Sequence, residues 1–483
     1  MRFFVFLAAF ILSFCSVSIK AQRTTLIRNV NIVDVENGKL QKNRHVLIKD
    51  SMITSITDGR AQLKIQADTV IDGTGRYLIP GLWDMHTHMW NDATTFPLLI
   101  GNGITGVRGM FESMSNVTRW RENINTGKIS GPQLFVAGPI VDGPKPTWLG
   151  SVAVKDETGG RKAVDSLKNI LGVDFIKVYS QLSRDNYFAI ADECKKQNIP
   201  FAGHVPNELT VLEAANAGQK SQEHLYGFIE TAGDSADYWY GYRQGKIKDS
   251  SFSTRAKRTE FLFRTYNESK LKNVLKQIKQ TDTWICPTLT VNRAIAYVND
   301  TSLLDDPRMV YMGKFIRDFW DYRKDFRFKS WTAKDFEQSK QEFELKLKII
   351  NLIYKAGIPI LAGTDFPNPH CYIGFGLHDE LEWLVKAGIS PAEALKTATI
   401  NPAKYFNITA REGSVAVNKK SNLVLLSKNP LDNISNTKTI EMVFVNGKAY
   451  TSAQLQIMME GVKKLVALNP QQISTTGFHV HED

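Results

Sequence analysis

Apolar and polar positions alternate in short runs at both ends of the chain. From residue 24 to 72, TLIRNVNIVDV, HVLIKDSMITSI and DTVIDGTG alternate apolar with polar positions and are broken by Gly, Asn and Asp. That period and those breakers predict short antiparallel strands. The far end repeats the pattern in SNLVLLS (421–427) and in MVFVNGKAY (442–450), which turns at Asn446-Gly447. Two β-rich ends around a long middle predict one composite β-sandwich domain from residues 22–77 and 411–483.

The middle, residues 78–410, changes period. Eight apolar runs read as buried strands: YLIPGLWDMH, ITGVRGM, QLFVAG, FIKVYS, IPFAGH, KSQEHL, WICPTLTV and IPILAGTD. Helical patterns fall between several of them: RDNYFAIADECKKQ, ELTVLEAANAG and ELKLKIINLIYKAG. Repeated βα units predict a parallel sheet, and eight of them an α/β fold of the (β/α)8 TIM-like barrel class, with a doubly wound sheet as the alternative. In such a barrel the chemistry sits at the C-terminal strand ends. Two stretches, near 230–282 and 293–345, are too long for ordinary βα loops and are rich in charged and aromatic residues. They are expected either to cover the site or to form solvated helical hairpins.

The first residues stand apart. Met1-Arg2 precedes FFVFLAAFILSF, an uncharged run too short to span ~30 Å of hydrocarbon as a helix. Residues 1–21 read as a secretory signal, cut after Ala21. The mature protein is therefore expected to be exported, periplasmic or extracellular, with no membrane span. The net charge of +11 falls to +9 once Arg2 and Lys20 leave. The surplus is dispersed over the inserts and helices, and no nucleic-acid motif accompanies it, so no nucleic-acid partner is expected. Cys194, Cys286 and Cys371 are odd in number and widely spaced, which fits neither a disulfide framework nor a CxxC zinc site.

Ionisable groups recur at the predicted strand ends. His86 and His88 close PGLWDMHTH at i, i+2, which puts both imidazoles on one strand face. That spacing alone is weak, since His479 and His481 repeat it in the tail. Lys177 sits inside the apolar run FIKVY, where an unpaired ammonium is costly. His204 ends FAGH, His224 ends SQEH and Asp365 ends ILAGTD. Any one of these is more often a satisfied core histidine or a structural ion pair. Six such groups on five strand ends are hard to attribute to chance. His370, Cys371 and Trp148 are weaker candidates for a pocket wall. His378 reads as structural, and His45 has no evident role.

PGLWDMHTH, the strand lysine, the two later histidines and TDFP together resemble the amidohydrolase superfamily of metal-dependent hydrolases, in its imidazolonepropionase-like and prolidase-like branch. The segments GITGVR, AGHVP, AGQKSQEHLYG and ILAGTDFP carry the branch. The resemblance implies that His86, His88 and Asp365 hold one divalent ion, by default zinc, and that His204 and His224 hold a second. Lys177 would bridge them as its carbamate, formed with carbon dioxide. Two such ions lower the pKa of a water between them and polarise a scissile carbonyl. Asp365 would take the proton and pass it to the leaving nitrogen. The lysine separates this chain from mononuclear imidazolonepropionases and points to dipeptides, N-acyl amino acids or cyclic amides. Tyr226, two residues after His224, stands where the branch places a substrate contact. One departure is Gly109, where many relatives have Asp.

The expectation is thus an exported binuclear amidohydrolase acting on a small-molecule substrate. The alternatives are a lactone or phosphotriester hydrolase on the same site, or a non-enzymatic polyanion-binding protein. The oligomeric state stays open, a homo-oligomer included.

Overall fold

A computed structural model of the chain describes residues 23–61 and 66–468. The signal segment, His479 and His481 lie outside the described residues. Among those described, no helix is long and apolar enough to cross a membrane.

The two chain ends do meet. Lys448–Thr451, Ile440–Val445, Leu423–Leu426, Tyr77–Pro80, Thr24–Asp34, Lys39–Lys49 and Met52–Asp58 follow one another across a single sheet, with Thr69–Asp72 beside Thr24–Asp34. The expected Asn446-Gly447 turn links two of these strands, and both residues have positive φ (50° and 74°), as a tight hairpin requires. The described strands hydrogen-bond as one sheet, so the sandwich of two packed sheets is not seen. A helix, Ser452–Leu468, follows the last strand and packs on helix Asp92–Gly101.

Between the ends the fold is α/β with parallel sheets, as the βα periodicity predicts. One sheet runs Leu82–Thr87, Ile104–Gly109, Gln133–Val136. The other runs Val152–Ala153, Val141–Asp142, Ile176–Val178, Phe201–Gly203, Ser221–Glu223, Trp284–Cys286. Every residue of Leu82–Thr87 and Ile104–Gly109 is buried, as befits parallel strands covered on both faces. The predicted helices form at Arg184–Lys196, Val211–Asn216 and Ala333–Lys355, each opened by a Ser or Thr whose side chain accepts a backbone N–H.

Two expectations change. YLIPGLWDMH is two strands, not one: Tyr77–Pro80 joins the terminal sheet, and the chain crosses at Gly81 into Leu82–Thr87. IPILAGTD is not a ladder strand. Ile360 and Phe366 make single parallel bridges, to Ile285 in one sheet and Thr87 in the other. The ladder breaks because the amides of Thr364 and Asp365 both donate to the His86 carbonyl (3.1 and 2.7 Å), which turns Asp365 inward. The strands therefore form two parallel sheets joined by this segment, and among the described residues they do not close into one barrel sheet.

The crossing at Gly81 depends on having no side chain. A Cβ there would lie 2.1 Å from Thr105 Oγ1. Gly81→Ala is expected to lower stability by about 1–3 kcal/mol through overpacking, read as a lower urea midpoint. An unchanged midpoint would mean the two strands can separate freely.

Candidate metal centre

Each candidate ligand lies at or just past the C-terminal end of a parallel strand, or on the segment joining the sheets. The structure brings all six together. Asp365 Oδ1 is 3.2 Å from His86 Nε2 and 3.1 Å from His88 Nε2. Lys177 Nζ is 3.2 Å from His86 Nε2. Asp365 Oδ2 is 3.7 Å from His224 Nδ1, and the His204 and His224 rings are 4.8 Å apart. All six residues are buried.

Three of the four histidines have Nδ1 engaged, whereas His88 Nδ1 is buried without a hydrogen-bond partner among the described residues. His86 Nδ1 meets Glu223 Oε2 at 2.8 Å, His204 Nδ1 meets Ser180 Oγ at 2.7 Å, and His224 Nδ1 meets Thr288 Oγ1 at 2.7 Å. Glu223 is a carboxylate and only accepts, so His86 donates from Nδ1. A neutral imidazole that donates from Nδ1 has its lone pair on Nε2. With His86 neutral, that lone pair faces the Asp365 carboxylate 3.2 Å away, and two electron-rich atoms oppose each other. A cation resolves this conflict, and the donor set fits a divalent metal: imidazole nitrogens and a carboxylate oxygen.

The electrostatics agree. Burial lowers His88 to about 4 and holds His204 and His224 well below the usual histidine range, so these rings keep free lone pairs. Burial alone would raise the Asp365 carboxyl, but positive charge placed at His86 and His224 holds it well below the ordinary range, so the carboxylate faces a position that favours a cation. Burial lowers the Lys177 amine to about 8, against the pull of Asp365 and Glu223.

Sequence reasoning passed over the groups beneath the ligands. Glu223 is fully buried and takes both NH2 contacts of Arg108 (2.8 and 2.9 Å) as well as the Ser221 hydroxyl (2.5 Å). Arg108 also donates to Met85 O and Tyr405 Oη. Burial opposes the Glu223 charge, but Arg108 and His86 hold its carboxyl well below the usual range. Asp84 ties the first strand to the joining segment by accepting from the Thr364 hydroxyl (2.7 Å), and burial raises it to about 6. Arg108 gave the same signal as Lys177, a charge inside an apolar strand run, whereas Glu223 sits in the polar segment KSQEHL and gave none. Cys286 lies within ligand range of His86 and Glu223. Burial keeps its thiol far above its ordinary pKa, and Arg108 already occupies Glu223, so this group reads as structural.

A cavity of about 170 Å³ opens over the cluster. Tyr179 stacks on His204 with 3.8 Å between rings, and the Tyr226 ring lies 5.0 Å from His204 and 5.1 Å from His224. Phe111, Ile140, Trp148, Phe319 and Phe326 form an apolar wall. Trp148 thus lines the cavity and donates to Tyr179 Oη (2.7 Å). The second insert supplies Phe319, Phe326 and Arg327, so it shapes the site. His370 packs on Trp320, Cys371 is buried in the core and His378 bonds Thr437 and Asn102. None of these three lines this cavity.

Comparison with known proteins agrees with this arrangement. The sequence pattern of the Amidohydrolase family matches residues 77–450, and the chain belongs to that family of hydrolases acting on carbon–nitrogen bonds. Ochratoxinase of Aspergillus niger is 21% identical over 481 residues, covering 86% of this chain and 84% of that enzyme. An adenine deaminase of Clostridium perfringens is 26% identical over 242 residues, 47% of this chain, and the match spans 39% of that enzyme. The fold is similar to that of bottromycin amidohydrolase (TM-score 0.69, 20% identity, 93% of this chain and 92% of that one). It is also similar to a Xaa-Pro dipeptidase (TM-score 0.63, 18% identity, 89% and 100%).

If Glu223 orients His86, Glu223→Gln weakens metal binding by about 10- to 100-fold, measured by chelator competition. Leaving Arg108 without a buried counter-charge should also cost about 3–5 kcal/mol of stability. Unchanged metal affinity would remove Glu223 from this role.

Proposed function

We propose that the chain is an exported binuclear amidohydrolase that cleaves an amide-type bond, in dipeptides, N-acyl amino acids or cyclic amides. The observation that carries the reading is the meeting of His86, His88, Lys177, His204, His224 and Asp365 at one point, with imidazole nitrogens gathered around one carboxylate. Membership of the amidohydrolase family supports the C–N bond. The names of two similar proteins, ochratoxinase and Xaa-Pro dipeptidase, leave amides of amino acids as the natural first class to test. The same reading takes the two parallel sheets as arcs of a (β/α)8 barrel (78–410) and the terminal sheet as its composite partner (22–77 with 411–483). Export rests on residues 1–21 alone.

His86, His88 and Asp365 would hold one ion, His204 and His224 the other, with Lys177 between. The ions, zinc by default, would acidify water and polarise the substrate carbonyl. Asp365 starts ionised, so it can accept a proton from the nucleophile and deliver it to the leaving nitrogen. Lys177 needs its free amine to add to carbon dioxide and lose a proton as the carbamate. The burial that lowers it to about 8 favours that form. Tyr226 lies over the histidines, where a substrate's polar end can reach its hydroxyl. The apolar wall favours a hydrophobic side chain next to the scissile bond.

Purified protein is expected to carry close to two divalent ions per chain and to lose amidase activity in chelator. Lys177→Ala should lose paired occupancy and recover part of it with acetate or propionate. Less than one ion per chain with chelator-insensitive activity would sink the reading. Turnover of lactones or phosphotriesters, but of no amide in a mixed panel, would move the chain to another bond.

A further inference from the structure

A second cavity, about 460 Å³, adjoins the metal cavity and shares Thr147, Tyr179, His204 and Tyr226 with it. Ligand pockets commonly run about 300–1,000 Å³. The metal cavity alone, at about 170 Å³, falls short of that range, whereas the neighbour lies inside it. The far wall comes from the two inserts. Helix Ala236–Arg243 supplies Trp239 and Arg243, helix Arg255–Thr265 supplies Arg255 and Arg258, and helix Ala333–Lys355 supplies Glu342.

The charges on this wall are unevenly matched. Arg255 is answered by Glu342 (3.4 Å) and Asp335 (3.8 Å) and lies over the Trp331 ring. Glu342 is also held by Lys346 (2.9 Å). At the mouth, Arg327 is answered by Asp325 and Asn368. Arg258 donates to the Phe252 carbonyl (2.7 Å) and has no carboxylate within ion-pair distance among the described residues. Arg243 lies over Trp239 (6.0 Å) and likewise has none. Burial lowers the Arg243 guanidinium, with the Arg258 charge adding to that and Glu230 opposing it. Glu230, the other acid of the cavity, makes no ion pair among the described residues, and burial raises its carboxyl. Two half-buried guanidiniums with no carboxylate in ion-pair contact among the described residues therefore face a cavity that opens onto the metal centre. A fork of N–H donors with no acid on it suits a planar carboxylate.

We propose that this second cavity is a substrate subsite: Arg243 and Arg258 receive a carboxylate carried several bonds from the scissile amide, past Tyr226. It rests on the amide-hydrolase reading and narrows it to amides with a hydrophobic group at the metals and an acidic group beyond. The carboxylate has two sources, the acyl side or the amine side of the bond.

The test uses metal-loaded full-length enzyme and matched pairs. Succinyl-, glutaryl- and adipoyl-phenylalanine are compared with their terminal carboxamides for the acyl side, and Phe-Asp and Phe-Glu with Phe-Asn and Phe-Gln for the amine side. Expected is at least a tenfold higher kcat/KM for the acid member of one series, carried mainly by KM. Arg243→Met with Arg258→Met should bring that ratio near one, with melting temperature and metal content reporting that the fold holds. Equilibrium binding of the same pairs is followed by tryptophan fluorescence. An acid preference in binding without turnover of either series keeps the subsite and overturns the amide reading. Ratios near one in both binding and turnover, or a preference that survives the double substitution, overturn the subsite.

Discussion

The carboxylate of Glu223 ties three parallel strands together at one buried point. Its own strand is Ser221–Glu223. Arg108 reaches it from Ile104–Gly109, and His86 from Leu82–Thr87. The first two of these strands lie in different sheets, so the Arg108–Glu223 pair crosses the interior where no ladder bonds do. A buried ion pair of this kind is weak evidence for stability, because desolvation offsets much of its attraction. Its consequence is geometric. Glu223 can only accept, so His86 must donate from Nδ1 and present Nε2 to Asp365 and Lys177. The arrangement of the metal cluster follows from that one constraint.

The backbone carries the same bias. Most non-glycine residues of positive φ among those described are Asn or Asp, which tolerate the left-handed region. The exceptions are His224, Leu225, Thr288 and His370. Two of these form the pair that fixes the His224 ring, and Leu225 lies between His224 and Tyr226. Asp365 is also left-handed, at φ 60°. Such conformations cost about 1–3 kcal/mol each and persist where the surroundings over-determine them. Here they turn strand ends inward, which is why IPILAGTD gives up its ladder to place Asp365.

The ligands were legible in the sequence because most are polar groups within or at the end of an apolar run, and His224 closes a segment that follows at the same strand spacing. Alternation and turn residues likewise announced the strands of both chain ends and the Asn446-Gly447 hairpin. Arg108 carried the same mark, but Glu223 sits in a polar segment 115 residues away in the chain, and no local pattern pairs them. The crossing at Gly81 was hidden for another reason. Tyr77–Pro80 and Leu82–Thr87 follow each other as one largely buried run, and periodicity cannot tell which sheet a buried run joins. The inserts were visible as long and charged, yet which of their side chains reach the site depends on tertiary packing alone.

That packing gives the charge surplus a location. Residues 230–282 hold eleven basic against seven acidic side chains, whereas 293–345 hold ten of each. The surplus between the two therefore belongs to the first insert, and Arg243, Arg255 and Arg258 of that insert face the cavity beside the metal centre. The second insert pairs cations with its own acids, Arg308 with Asp306 and Arg327 with Asp325, and Lys346 beside it pairs with Glu342. Strand ends thus supply the metal cluster, the second insert a charge-balanced aromatic wall, and the first insert unneutralised guanidiniums. The chemistry is anchored in the rigid sheets, so the inserts can change what is recognised without moving the groups that react.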